Sequence, residues 1–185
     1  MPTPLPHVAV IVGSNRRESI NRKLAQALVK LGASKFEAKI VRIDDLPIYN
    51  QDNEGNLPAE VVRFKDEIAK ADGVLIVTPE HNRSMPTALK NAIDFLYREW
   101  NNKSVGFVGY GGNGGARAVE ILRQVVSNVE LADVRAQVGL SLFTDFEDFT
   151  NFQPGSHHDP TVTLMLDQVI AWGRALKQLR VATGD

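Results

Sequence analysis

The chain has 185 residues, 43% of them hydrophobic, enough for one domain (1–185) with a core of its own. Its 21 basic and 22 acidic side chains leave a formal net charge of −1, which argues against a nucleic-acid surface and against a solvating acidic tail. With no cysteine, disulfides, thiol redox chemistry and a thiolate nucleophile are all excluded.

Residues 1–7 hold three prolines and no apolar h-region, so they do not read as a signal peptide. Residues 8–12 (VAVIV) form a short apolar run that suits a strand buried on both faces. A polar break over 13–19 follows. A helix is then expected from Ile20 to Leu31, with Leu24, Ala27, Leu28 and Leu31 on one face and Gly32 as its C′ stop. Residues 36–43 alternate like a strand, and 44–57 read as a loop. Pro58 fits the first turn of a helix to about Ala71. Residues 73–78 (GVLIVT) are a second buried strand, 79–85 a loop, and Pro86 starts a helix to about Trp100. A strand over 104–110, a glycine loop over 111–115 and a helix over 116–129 come next. A last strand over 134–142, an irregular stretch over 143–159 and a closing helix over 160–179 complete the chain. No run approaches the ~20 apolar residues of a membrane span, so a cytoplasmic protein without membrane or nucleic-acid partners is expected.

Five βα units imply an α/β fold, a three-layer sandwich whose five-stranded parallel sheet has helices on both faces. In such sheets ligands sit beyond the carboxyl ends of the strands, at the switch point. That brings together the loops 13–21, 79–84 and 111–115, the most polar and glycine-rich of the chain. The first leads straight into a helix, whose free N–H groups and positive dipole end attract an anion. Ser14 and Ser19 add hydroxyls, Asn21 an amide, and Arg16 a charge-assisted partner for phosphate oxygens. No Gly-Lys-Ser/Thr follows, so this is not a nucleoside-triphosphate loop, and a terminal monophosphate suits so small a cradle better than a diphosphate. The plainer alternative is a solvated turn in which Ser19 only caps the helix.

The pattern Gly13-Ser14-x-Arg16-x-x-Ser19-x-Asn21 resembles the flavin-phosphate motif of the NADPH-dependent FMN reductase family, and within it the bacterial quinone reductases known also to reduce chromate. The resemblance continues through Thr78-Pro79-Glu80-His81-Asn82-x-Ser84-x-Pro86, Leu89-Lys90-Asn91-Ala92-Ile93-Asp94 and Gly114-Gly115-Ala116-Arg117. It implies a flavodoxin-like fold with strand order 2-1-3-4-5, tightly held FMN and NAD(P)H as co-substrate. It also implies a homodimer or homotetramer with the flavin near a subunit boundary. The implied phosphate contacts are Ser14, Arg16, Ser19, Ile20 and Asn21. Pro79, Glu80, His81, Asn82 and Ser84 would lie along the isoalloxazine, with Tyr110, Gly111 and Gly112 beside it. His81 stands where the family usually has Tyr, and reads equally as a ring neighbour or a surface histidine. Ser84 either bonds near the ring or caps the following helix.

Several other patterns are set aside. Gly109-Tyr110-Gly111-Gly112-Asn113-Gly114 matches G-x-G-x-x-G, but on the fourth βα turn rather than the first, so it is not read as a dinucleotide fingerprint. Asp44-Asp45 reads as solvated loop acids. His157-His158-Asp159 has no partner pair at ligand spacing, so no metal site is assigned. Phe143, Phe146, Phe149 and Phe152 recur every three residues and form either an exposed interface patch or a fold-back onto the core, the resemblance favouring the interface. The expected activity is two-electron quinone reduction by hydride transfer through FMN N5, with no side-chain acid or base. Chromate is a possible acceptor drawn by Arg83 or Arg98. The alternative is a flavodoxin-type carrier or binding module without NAD(P)H activity.

Overall fold

Alternate residues of the first strand feed two different cores, and this explains why the strand is apolar throughout. In the computed structural model, which describes residues 4–16 and 19–183, β1 is His7–Val12. The readings placed on residues 1–3, Arg17 and Glu18 lie outside the described residues. Ala9 and Ile11 face one side of the sheet with Phe64, Leu89, Trp100 and Leu122. Val8, Val10 and Val12 face the other with Leu24, Leu28, Met165 and Val169. Each such fully buried side chain contributes about 1.5–3 kcal/mol before conformational entropy is counted.

The remaining strands are β2 (Glu37–Val41), β3 (Gly73–Pro79), β4 (Lys103–Gly111) and β5 (Leu131–Ser141), all parallel in the order β2-β1-β3-β4-β5. The chain reverses its direction of winding at β1, so β1 and β3 are hydrogen-bonded neighbours and their C-terminal loops diverge over a crevice. Helices α1 (Ile20–Gly32) and α5 (Asp159–Thr183) cover one face; α2 (Ala59–Ala69), α3 (Thr87–Asp94) and α4 (Ala116–Asn128) cover the other. The sheet is thus the parallel one expected from the βα order, in the flavodoxin-like strand order that the resemblance implies. Among the described residues no helix is long and apolar enough to cross a membrane.

Local differences from the expected elements have identifiable causes. On α1 the buried face is Leu24, Ala25 and Leu28, whereas Leu31 is exposed. Gly32 is the last helical residue rather than a left-handed stop: a Cβ there would overlap the Phe36 ring at 2.0 Å, so close approach of Phe36 demands glycine. Helix α3 ends at Asp94, short of Trp100, because the chain turns to bury that indole, whose Nε1 donates to the Ile93 carbonyl at 3.1 Å. The stretch read as irregular holds a small hairpin of β6 (Phe146–Glu147) and β7 (Asn151–Phe152), then a 3-10 turn Ser156–His158. Its phenylalanines divide: Phe146 is buried and Phe152 half-buried against Tyr110, while Phe143 and Phe149 are 70% and 57% exposed and meet edge to face at 5.8 Å. Asp44 and Asp45 are ion-paired with Arg42 and Arg63.

Candidate flavin site

Gly13 turns the chain tightly off the end of β1. Its N–H donates to the Val77 carbonyl at 2.7 Å, and a Cβ would lie 2.8 Å from that same oxygen, so a side chain would push the loop off β3. Ser14 follows, buried, its Oγ accepting the Arg16 N–H at 3.3 Å. Arg16 itself is exposed.

Ser19 occupies the N-cap of α1 with extended dihedrals, yet its side chain makes no cap bond. Its hydroxyl is buried and has no partner. Two residues on, Asn21 is 0% exposed, and neither its amide nitrogen nor its carbonyl oxygen is bonded. A buried polar group left unbonded costs about 1–3 kcal/mol, and three such atoms cluster at one helix start. No acidic residue occupies the first turn of α1 to compete for its N–H groups. The capping alternative for Ser19 therefore fails: the residue is at the cap position but does not cap. Ser19 Oγ and Asn21 Nδ2, with the backbone N–H groups of the helix start, fit a ligand that accepts hydrogen bonds, and a phosphate monoester does so. Ile20, half-buried, contributes backbone to the same turn.

The β3–α3 loop is a strained two-residue turn. His81 and Ser84 exchange backbone hydrogen bonds at 2.9 Å, and both residues between them, Asn82 and Arg83, have positive φ (49° and 68°). His81 and Asn82 are exposed, Ser84 half-buried, and Pro79 buried at the end of β3. Ser84 does not cap α3, which starts from Pro86 with no side-chain cap bond. The Glu80 carboxylate has partners within the chain. It accepts the Arg117 guanidinium at 2.7 Å and the Arg117 backbone N–H at 3.2 Å, so it caps α4 and ties the β3 loop to the β4 loop. Glu80 N–H in turn donates to the Tyr110 carbonyl at 3.1 Å.

The β4–α4 loop needs its glycines for packing. Gly115 has φ +68°, and a Cβ on it would sit 2.6 Å from Tyr110 N, a contact no rearrangement of a side chain relieves. Gly111 is buried and its carbonyl accepts from Gly114 N–H and Leu142 N–H, while Gly112 is exposed beside Phe143. Tyr110 is half-buried on Phe146, centroids 6.0 Å apart. Burial pushes its phenol above the ordinary value, and the Arg16 charge opposes the rise, which places the first and fourth loops within electrostatic reach of each other. Asn91, inside the third motif, works as a clamp: its Oδ1 accepts Tyr49 N–H and its Nδ2 donates to Pro47 O, holding the 44–57 loop against α3. Arg98 lies away from these loops, in a hollow it shares with Tyr49, Lys65 and Asn128.

Residues 6–145 match the family model described as NADPH-dependent FMN reductase. The chain belongs to this family. FMN is its cofactor and NAD(P)H its reductant, in keeping with the unpartnered donors at the start of α1. Among relatives of this FMN reductase chain, a quinone reductase of Pseudomonas putida is 50% identical over 125 residues, covering 63% of this chain and 67% of that one. A 2-hydroxy-1,4-benzoquinone reductase of Burkholderia sp. is 53% identical over 93 residues, covering 50% of this chain and 51% of the relative. Among solved structures, the flavoenzyme NAD(P)H:(acceptor) oxidoreductase FerB of Paracoccus denitrificans superposes with a TM-score of 0.78 at 29% identity, over 92% of this chain and 98% of that one.

Proposed function

We propose that the protein is an NAD(P)H-dependent, FMN-containing quinone reductase. The carrying observation is the buried, unbonded trio of Ser19 Oγ and the two Asn21 side-chain atoms at the N-terminus of α1. In this reading Ser14, Arg16, Ser19, Ile20 and Asn21 hold the flavin phosphate. The turn from Pro79 to Ser84 and the segment from Tyr110 to Gly112 flank the ring, presenting backbone groups whose orientation the Glu80–Arg117 pair fixes. FMN held there would supply the two-electron chemistry, carrying reducing equivalents as hydride through its N5 from NAD(P)H to a quinone, with solvent completing the two protons of the hydroquinone. The protein's part is to bind, orient and tune, and no side-chain acid or base is required of it. The names of the two quinone-reducing relatives support the acceptor class.

Arg83, exposed on the strained turn, is the residue that would draw a metal oxyanion such as chromate to the mouth as an alternative acceptor. The exposed Phe143–Phe149 pair beside Gly112 supports association into a homodimer or homotetramer around this mouth.

The test is steady-state oxidation of NADH and NADPH with 1,4-benzoquinone, after mass identification of the ligand that the purified protein releases on denaturation. Yellow protein that releases FMN and turns over with quinone is the expected result. Yellow protein that oxidises neither nucleotide makes it an electron carrier. Colourless protein that takes up no FMN removes the phosphate site and the reading with it.

A further inference from the structure

The segment between β5 and α5 assembles donors that sequence spacing alone leaves scattered. Asp145 is 2% exposed, and its Oδ2 accepts the Ser141 backbone N–H at 2.8 Å and the Thr144 hydroxyl at 3.3 Å. Its Oδ1 faces His158 Nε2 at 2.7 Å. The His158 ring lies against that of His157, centroids 4.0 Å apart, and one ligand atom from each of the three residues falls within 4.8 Å of the others. His157 is exposed and packs over Gly155, where a Cβ would come within 2.5 Å of its Nδ1. The adjacent His157-His158 lacked a third ligand in the sequence because that ligand, Asp145, comes from beyond the hairpin.

We propose that Asp145, His157 and His158 bind a divalent transition-metal cation of the zinc class, at a site separate from the flavin phosphate loop. Two imidazoles and a carboxylate are the nitrogen-rich donor set that zinc and its neighbours favour, whereas calcium and magnesium require mostly oxygen. Ligation at about 2.0–2.2 Å requires the His158 Nε2–Asp145 Oδ1 hydrogen bond to open around the cation and the exposed His157 ring to rotate towards the carboxylate. The Ser141 N–H and Thr144 hydroxyl are the outer-shell bonds that orient the Asp145 ligand. Three protein ligands leave a coordination position for water on the solvent side. The bound cation would tie Asp145, just before the hairpin, to His157 and His158 in the 3-10 turn that precedes α5. It would thereby fix the hairpin whose Phe146 and Phe152 support Tyr110.

The experiment is calorimetric titration of chelator-treated, full-length protein with zinc chloride, paired with thermal unfolding with and without zinc. Wild type is expected to bind one zinc per chain with micromolar or tighter affinity and to unfold at a higher temperature with zinc present. His157→Ala, which alters an exposed ring and leaves the Asp145–His158 pair intact, should weaken binding at least tenfold and abolish the thermal shift. His158→Ala should do the same, while His7→Ala, at the opposite end of the sheet, should bind as wild type does. No saturable zinc binding by wild type, or His157→Ala and His158→Ala binding like wild type, would overturn the site and leave Asp145–His158 as a simple loop-closing hydrogen bond.

Discussion

The two ends of the sheet bury polar groups in opposite ways. At the amino-terminal end, Asp72 accepts the His7 N–H at 3.1 Å and pairs with both Lys177 and Arg180 at 2.9 Å. Beside it Lys103 donates to the Ala69 and Ala71 carbonyls at 3.0 and 2.6 Å, and Ser104 donates to Val169 O at 2.7 Å. Every one of these groups is bonded. At the carboxyl end, Ser19 and Asn21 are as deeply buried, yet the Ser19 hydroxyl and both polar atoms of the Asn21 side chain have no partner. The other unbonded buried atoms among the described residues, Arg63 Nε and Glu67 Oε2, belong to side chains whose remaining atoms are paired with Asp45 and Lys39. Folding alone accounts for the first cluster. The second leaves donors that the proposed flavin phosphate would satisfy.

The largest effect that separates the two ends is expected from Asp72→Ala. Burial favours the neutral form of Asp72, but the Lys177 hydrogen bond, the His7 N–H and the two cations outweigh it and hold its carboxyl below the ordinary value. Removing it takes the ionic partner from Arg180 and Lys177 and the acceptor from the His7 N–H, which costs about 3–5 kcal/mol for a broken buried pair. Urea unfolding should register that loss, while FMN retention per mole of folded protein stays unchanged. A folded pKa below the unfolded one also means that the stability Asp72 provides is present above about pH 4 and is lost as the solution is acidified through the folded value.

Lys103 gives the next effect, with the same sign of pH dependence but in an alkaline window. Burial, aided by the Arg180 charge, lowers its ammonium from 10.5 to about 8. Between those values the unfolded chain holds the proton and the folded chain does not, so stability rises with pH across the window. At about 1.4 kcal/mol per pH unit, the gain approaches on the order of 3 kcal/mol. Comparing wild type with Lys103→Met at pH 7 and pH 10 cancels the other titrations. The difference should move in favour of wild type at the higher pH, and a flat difference would show that the ammonium is better solvated than its burial implies.

How far each end was legible in the sequence follows from the same distinction. Runs such as 8–12 and 73–78 announce buried parallel strands because both faces must be apolar, and the βα alternation then fixes handedness and layer order. The motif from Gly13 to Asn21 could be read as an anion loop, but that Ser19 leaves its helix uncapped is a tertiary fact with no sequence mark. The Glu80–Arg117 pair was hidden for a similar reason: its members lie 37 residues apart, and only the β3–β4 pairing brings the two loops together. Two-residue strands such as β6 and β7 carry no periodicity, so the hairpin that buries Phe146 and turns Phe149 outward was invisible. The Asp72–Lys103–Arg180 cluster was missed altogether, because 108 residues separate Asp72 from Arg180 and no local pattern links them.

At the carboxyl end the expected changes are in affinity rather than stability. Asn21→Ala deletes a buried amide that no protein group satisfies, so the relief of about 1–3 kcal/mol of desolvation offsets the small void left behind. The flavin-free variant should unfold within about 1 kcal/mol of wild type and yet bind FMN roughly 10- to 100-fold more weakly, as should Arg16→Ala. Fluorescence titration with FMN reads the affinity directly, since binding quenches or restores the flavin signal independently of turnover. A variant that loses stability but keeps FMN would mean that Asn21 is bonded within the fold after all.

The smallest effect is expected at the Glu80–Arg117 pair that joins the two ring-flanking loops. Arg117 is 44% exposed, so solvent screens the pair and truncation by Glu80→Gln should cost no more than about 0.2–1 kcal/mol of stability. Its glutamine oxygen still accepts the Arg117 N–H that caps α4, so the helix start survives. What changes is the grip between the β3 and β4 loops, and that shows in how the flavin ring is held rather than in whether the chain folds. FMN affinity should fall less than tenfold, well short of the Asn21→Ala loss, while the KM for quinone rises more than kcat falls. A loss of FMN as large as that of Asn21→Ala would instead place the Glu80 carboxylate on the flavin itself, with Arg117 as its support.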